Sequence, residues 1–471
     1  MNKLVWKITT VLLSSLILFS YSVLPQGHLA EVLATEVTET VPEGTDAEST
    51  ETPSEPAAIT DPNAPAIVAN SAIVIDAKTG HILYGKNEHA RCYPASITKV
   101  MTCMVALEHV NLNDTVTFSE NAIWGIERDS NHIALDVGEQ ITAEQCLYAV
   151  MLQSANEASW GIAEHVSGSL EDFTNLMNAK ALALGCKDTN FVNANGLHDE
   201  NHYTTAYDMA LIMKAAIQNP MFLTITETKY YQIPPTNLCE EQRDLWHQLK
   251  MLYPTSSYYY EPVVSGKTGF TDQAHNTLVT YAEKNGMELI CVILDCEGAA
   301  NGYNDSIALY DYYFNNYTYA YPLQTFNPNT QNHTDYIVNN FYRGLDHNTL
   351  NLTVDNDLAV VVPRNMDAAA LTTQTSYYTT LEDNIVGKVS VLYNGTVLGE
   401  SDIQYSDMTI NGEVLRWGFT PEEKKKRTNI TLIVAISVVV VVAVGLFIVF
   451  RFKTRRYRYL KRRSRSSRLH W

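Results

Sequence analysis

An uncharged run from Asn429 to Phe450, rich in Val, Ile and Leu, constrains this chain more than any other feature. About twenty consecutive apolar residues are what an α-helix needs to cross a bilayer, whereas a core helix of that length would show a polar face. Residues 429–450 are therefore expected to form a transmembrane helix. Arg451, Lys453, Arg455, Arg456, Arg458, Lys461, Arg462, Arg463, Arg465 and Arg468 follow with no acidic residue among them. The positive-inside rule assigns 451–471 to a cytoplasmic tail and everything before the span to the outer side of a cell membrane.

The other end has the pattern of a secretory signal peptide over 1–34: Lys3 and Lys7, the apolar run Ile8 to Phe19, then small residues around Leu33 and Ala34. Leu33 is bulky for a cleavage motif, so an uncleaved anchor stays open. Residues 35–65 are mostly Glu, Thr, Pro, Ser and Ala, too poor in large apolar side chains to offset ordering, and are expected to be a flexible linker. The formal charge is −19, and without the ten tail cations the remainder stands at −29. So acidic an outer part argues against nucleic-acid binding, and the basic tail beside a span is expected to meet anionic lipid.

The seven cysteines, Cys92, Cys103, Cys146, Cys186, Cys239, Cys291 and Cys296, are odd in number and form no C-x-x-C pair. Neither a disulfide framework nor a zinc site is indicated, although one bridge remains open. There is no H-E-x-x-H helix, and no cofactor or metal is indicated.

Between the ends, Ser71–Asp76 and His81–Tyr84 flank a turn at Lys78-Thr79-Gly80, as in a β-hairpin. Ile97 to Leu107 is apolar or small apart from Lys99 and two threonines, and predicts a helix buried on most sides. Further helices are expected near Ala143–Gln153, Ala158–Val166, Glu171–Leu184 and Thr205–Ile217. Strands return at Thr277–Ala282 and Glu288–Leu294 around the turn pair Asn285-Gly286. Strands enclosing helices predict an α+β domain over 66–325 with a sheet built from both ends of that segment, the Tyr-rich stretch Tyr303 to Tyr321 closing it. Short alternating runs at Leu358–Val362, Val386–Tyr393 and Val397–Leu398 predict a small all-β domain over 326–420.

Three short motifs occur in order: Ser96-Ile97-Thr98-Lys99, Ser154-Ala155-Asn156 and Lys267-Thr268-Gly269. Each alone arises easily by chance, and Lys78-Thr79-Gly80, a second K-T-G ahead of the serine, is read only as a turn. Together they match the set used by penicillin-binding proteins and class A β-lactamases. Ser96 and Lys99, three apart, share a helix face. Burial among Val100, Met101 and Met104, the helix N-terminus and a second cation at Lys267 would all favour a neutral amine, which is a working base for a hydroxyl nucleophile. Lys267-Thr268-Gly269, after Val263-Val264, is expected on a strand edge that binds an extended peptide, with Lys267 and Thr268 meeting a carboxylate and Gly269 allowing close approach. Ser154 and Asn156 fall on a turn between helices, where they can face the same cleft.

At these residues the chain resembles the D-alanyl-D-alanine carboxypeptidases, low-molecular-mass penicillin-binding proteins of serine peptidase family S11. The likeness extends through Tyr93–Thr102, Ser154–Ser159, Phe191–His198, His202–Ala210 and Gly266–Thr271, and covers about Ala66 to Leu294. The resemblance implies the penicillin-binding-protein fold, Ser96 as acyl-enzyme nucleophile and Lys99 as its base. It implies proton relay and substrate-amide contacts from Ser154 and Asn156, carboxylate binding by Lys267 and Thr268, and an oxyanion hole from the backbone N–H groups of Ser96 and Phe270. The substrate would be a peptidoglycan stem peptide ending in D-Ala-D-Ala, with β-lactams as covalent inhibitors. One departure stands out: Ala274-His275 occupies a place where the family usually has Ala-Gly. A β-lactamase would need a deacylating Glu motif that is not evident, an esterase would leave the Lys267-Thr268 site unexplained, and an inert sensor would not need all three motifs.

Overall fold

The computed structural model describes residues 61–415 apart from 128, 331–350, 383–384, 406–407 and 411–412. The expected signal peptide at 1–34, most of the 35–65 linker, the span at 429–450 and the tail at 451–471 lie outside the described residues. Among the described residues no helix is long and apolar enough to cross a membrane.

The hairpin expected first is β1 (Ser71–Asp76) and β2 (Ile82–Lys86), joined through a turn in which Thr79 donates to the Asp76 carboxylate from both its N–H and its hydroxyl. Next comes helix α1 (Lys99–His109), with every residue from Lys99 to Ala106 buried. The short β3 (Thr115–Thr117), α2 (Glu120–Trp124) and β4 (Gln140–Thr142) follow. Then come the helices α3 (Ala143–Leu152), α4 (Asn156–Ser167), α5 (Leu170–Ala183), α6 (Ala206–Ala216) and α7 (Pro220–Glu227). Local chemistry sets their starts: Ser169, Thr205 and Asn219 each accept a backbone N–H of the first turn. Thr142 and Gln145 exchange reciprocal side-chain to backbone bonds of 3.2 and 2.8 Å at the start of α3.

A hairpin, β5 (Tyr230–Ile233) and β6 (Arg243–Trp246), was not legible as such in the sequence. Arg243 pins it to the buried Glu139 carboxylate through bonds of 2.7 and 3.0 Å. The chain then enters the long strands β7 (Val263–Thr271), β8 (His275–Lys284) and β9 (Met287–Cys296), and helix α8 (Ala299–Asn316). The antiparallel sheet has the order β2-β1-β9-β8-β7, so strands from both ends of the domain lie side by side and β7 is an edge. Alternation divides its side chains. Ile73, Ile75, Ile290 and Val292 enter a core with α1 and α3 to α7, while Ala72, Val74, Cys291 and Ile293 pack against α8. The fold is α+β, with α1 enclosed by the other helices.

Contacts cross two of the expected boundaries. Ordered contacts begin inside the linker assigned to 35–65, because Asp61 accepts the Tyr312 and Tyr317 hydroxyls at 2.6 and 2.8 Å. The division at 325/326 cuts a strand pair: the Tyr-rich stretch is α8 followed by β10 (Tyr317–Ala320), and β10 pairs with a strand far beyond 326. The later strands are β11 (Leu352–Thr353), β12 (Val360–Pro363), β13 (Leu371–Glu382), β14 (Ile385–Tyr393) and β15 (Thr396–Tyr405). β11, β15, β14 and β13 form an antiparallel sheet over their own apolar cluster. β12 faces both ways, Val360 and Val362 joining that cluster and Val361 the α8 core. All seven cysteines are free thiols.

The capping box makes a direct stability prediction. Thr142→Ala leaves the Gln145 N–H uncapped and should lower stability by about 1 kcal/mol in chemical unfolding. An unchanged midpoint would mean that solvent caps α3 equally well.

Candidate active site

The chain reaches Ser96 through Pro94 and Ala95, and Ala95 takes a left-handed φ of +49° while fully enclosed. A backbone so strained persists only where surroundings over-determine it. Here the Thr277 hydroxyl on β8 donates to the Pro94 carbonyl at 2.8 Å, and Gly196, at φ +83°, lies so close that a Cβ there would strike the Ala95 carbonyl. Ser96 sits in a 3₁₀ turn, Ala95–Thr98, and Lys99 opens α1. The sequence placed both in one helical turn, and the tighter turn still brings Lys99 Nζ to 3.1 Å from Ser96 Oγ.

Lys99 is fully buried beside the buried Val100, Met101 and Met104 of the same helix, and its amine also meets polar atoms. Nζ lies 2.7 Å from Asn156 Oδ1 and 2.6 Å from the Asn195 carbonyl. Burial pushes its pKa well below the ordinary lysine value, the charge of Lys267 pushes the same way, and buried Glu157 opposes them. Lys267 is buried too, which brings its ammonium down to about 7. Its Nζ donates to the Thr268 carbonyl at 2.8 Å.

Ser154 stands between α3 and α4 with φ +58°, and its buried hydroxyl has no hydrogen-bond partner. Asn156 is the first residue of α4. Edge strand β7 carries Lys267-Thr268-Gly269 past the turn that holds Ser96. A Cβ on Gly269 would come within 2.7 Å of the Ser96 backbone nitrogen, so only glycine lets the two backbones approach this closely. A cleft of about 740 Å³ opens between β7 and the helices, lined by Ser96, Ser154, Asn156, Thr268, Gly269 and Phe270. Lys99 and Lys267 do not line it: they lie behind its wall.

The motifs missed several participants. Asn195 supplies a carbonyl to Lys99, and the residue before it is clasped by Thr102 donating to the Ala194 carbonyl at 2.6 Å. His202, brought down to about 4 by burial, is neutral. Its Nδ1 accepts the Val192 N–H, so Nε2 carries the proton and donates to Thr98 Oγ1 at 2.8 Å. Glu157 accepts the Ile133 N–H at 2.6 Å and anchors the loop whose Glu127, Asp129, Ser130 and Asn131 line the cleft. Asn195, His202 and Glu157 were all inside stretches that carry the family resemblance, but no chemical spacing rule marked them.

The sequence profile of D-alanyl-D-alanine carboxypeptidase, peptidase S11, matches residues 58–298. The chain belongs to this family. A D-alanyl-D-alanine carboxypeptidase from Bacillus subtilis, DacF, is 34% identical over 261 residues, covering 54% of this chain and 64% of the relative. DacA of Haemophilus influenzae is 33% identical, over 49% of this chain and 58% of its own. The chain thus spans less than two thirds of the length of both relatives. The crystal structure of a D-alanyl-D-alanine carboxypeptidase from Mycobacterium tuberculosis superposes with a TM-score of 0.50 at 28% identity, over 56% of this chain and 96% of that one. Penicillin binding protein 5 from Haemophilus influenzae shares the fold at a TM-score of 0.57 and 24% identity, over 72% of this chain and 97% of its own.

Against this family the departure at His275 has a physical resolution. Where glycine is usual, His275 takes φ +53°, the left-handed conformation that glycine adopts freely, and its Nδ1 lies 2.6 Å from Asp295 Oδ1. A side-chain contact thus accompanies the strained backbone, and β8 still begins at this residue.

If Lys267 depresses the Lys99 pKa through its charge, Lys267→Met should raise the Lys99 titration midpoint toward that of a solvent lysine, read from the Lys99 ¹³Cε shift by NMR. An unmoved midpoint would show that the two amines are not electrically coupled.

Proposed function

We propose that the chain is a serine D-alanyl-D-alanine carboxypeptidase that removes the terminal D-alanine from peptidoglycan stem peptides through an acyl-enzyme on Ser96. The observation that carries this is the setting of Lys99. A neutral amine has two N–H donors and one lone pair. Asn156 Oδ1 and the Asn195 carbonyl take the two N–H groups, at 2.7 and 2.6 Å, which leaves the lone pair for the Ser96 hydroxyl proton at 3.1 Å.

Ser96 Oγ then bonds to the carbonyl carbon of the penultimate D-alanine as its proton passes to Lys99. The carbonyl oxygen becomes an oxyanion facing the backbone N–H groups of Ser96 and Phe270, donors fixed in advance. Collapse breaks the C–N bond, and the leaving amine takes a proton through Ser154, whose unpartnered buried hydroxyl supports that role. Water next attacks the ester with Lys99 again as base, restoring Ser96. Asn156 holds both Lys99 and the substrate amide. Thr268, on the cleft wall, would meet the terminal carboxylate directly, with Lys267 adding a buried positive charge behind it. β-Lactams, whose reactive amide imitates D-Ala-D-Ala, would acylate the same serine.

We further infer that the strands after β10 form a small β domain between the catalytic part and a single span at 429–450, with the enzyme on the wall side and the basic tail in the cytoplasm. The apolar run and the cations after it support this arrangement.

The purified full-length chain should release D-alanine from an acyl-Lys-D-Ala-D-Ala peptide, and Ser96→Ala should abolish release. Folded wild-type protein that releases none would overturn the proposal. Since kcat/KM reports the free enzyme, it should rise with pH as Lys99 loses its proton and fall as Lys267 loses its own near 7. A guanidinium stays charged at every working pH, so Lys267→Arg should carry the alkaline limb upward and leave the acid limb in place. Two limbs unmoved in that variant would remove Lys267 from carboxylate binding.

A further inference from the structure

The hairpin β5–β6 has one buried face and one face turned to solvent. Inward, Ile233 and Leu245 are buried and Tyr231 stacks on Tyr148 with ring centroids 3.8 Å apart. Outward, register places Tyr230 opposite Trp246 and Gln232 opposite Asp244. The Trp246 side is 56% exposed and Tyr230 40%, with their rings 4.7 Å apart. The pair stabilises the hairpin across its strands, yet much of both rings is left open to solvent, where they offer an apolar surface. The polar pair beside them is already ordered. Asp244 Oδ1 accepts the Tyr230 hydroxyl at 2.8 Å and the Gln232 amide at 3.0 Å, which leaves Asp244 Oδ2 and Gln232 Oε1 as acceptors toward solvent.

We propose that this face is a glycan platform, seating the amino-sugar strand to which a stem peptide is attached while the peptide's end lies in the cleft. The inference rests on the proposed function, because the carrier of the scissile peptide is then a polysaccharide. Sugar rings offer an apolar C–H face to aromatic side chains and hydroxyl or acetamido donors to carboxylate and amide oxygens.

Continuity with the cleft favours this occupant over others. The Trp246 carbonyl accepts from the Gln153 side chain at 3.3 Å, and Gln153 immediately precedes Ser154. Two residues beyond Trp246, Gln248 lines the cleft and donates to the Gln153 carbonyl at 3.0 Å. Two residues span at most about 7 Å, and a stem peptide reaching from its fourth residue back to the sugar spans up to about 14 Å when extended. The platform therefore adjoins the same cleft that Ser96 lines. Arg243, bonded to Glu139, keeps the hairpin from swinging.

The test compares the full-length chain with Trp246→Ala and Tyr230→Ser on two substrates, a short acyl-Lys-D-Ala-D-Ala peptide and the same peptide end carried on glycan strands. For both variants kcat/KM should fall about 10-fold on the glycan-linked substrate, the loss typical of a buried aromatic anchor, and stay unchanged on the short peptide. An equal loss on both would mark a structural role and overturn the inference, as would no loss on either. A second arm needs no catalysis: insoluble glycan stripped of peptides should co-sediment wild-type protein and release it in Trp246→Ala. If wild type fails to bind that glycan, the platform is wrong even when D-alanine release is intact. If wild type binds it through Trp246 yet hydrolyses neither substrate, the platform stands and the carboxypeptidase proposal falls.

Discussion

Burying an amine is costly enough to push its pKa down, and the rest of this structure is arranged around that cost. Lys99 sits at the start of α1, where helix geometry already disfavours a cation, with no carboxylate among its hydrogen-bond partners. Lys267 approaches from the sheet side and adds repulsion. Glu157 is the counterweight, its carboxyl raised by the same burial and engaged with the Ile133 N–H.

Three separate segments must meet for that environment to exist. The helical region contributes Ser96 with Lys99 and, through the turn between α3 and α4, Ser154 with Asn156. The sheet contributes β7. The loop around Gly196 closes the third side, and its glycine is required because the Ala95 carbonyl fills the space of a side chain. Two of the strained backbone positions, Ala95 and Ser154, lie within the motif segments themselves, as expected where surrounding packing over-determines the backbone. Glu157, through its charge, and Asn195, through its backbone carbonyl, both act on Lys99 and not on the cleft surface.

Much of this was legible beforehand. Helices near Ala143, Glu171 and Thr205 could be read from their own stretches of sequence, and the β8–β9 hairpin from Asn285-Gly286, because these signals are local. The β5–β6 hairpin did not, since its inward residues Ile233 and Leu245 are too few to show a period and its outward Tyr230 and Trp246 look like core. α8 was hidden by its tyrosines, residues that favour strands, and became a helix because one face of it packs on β8 and β9. Nor was it legible that β10 finds its partner in β12, across the boundary near 325, since that pairing joins residues far apart along the chain.

By itself the sequence determined that Ser96 and Lys99, three residues apart, would meet in a helical turn, as they do at 3.1 Å, and it held the apolar runs at either end. Only the tertiary structure decided the state of that chemistry. The pKa of Lys99 depends on Asn156, Asn195, Glu157 and Lys267, which lie far apart along the chain. Charge interactions depend on distance through space and on exclusion of water, neither of which a sequence spacing encodes.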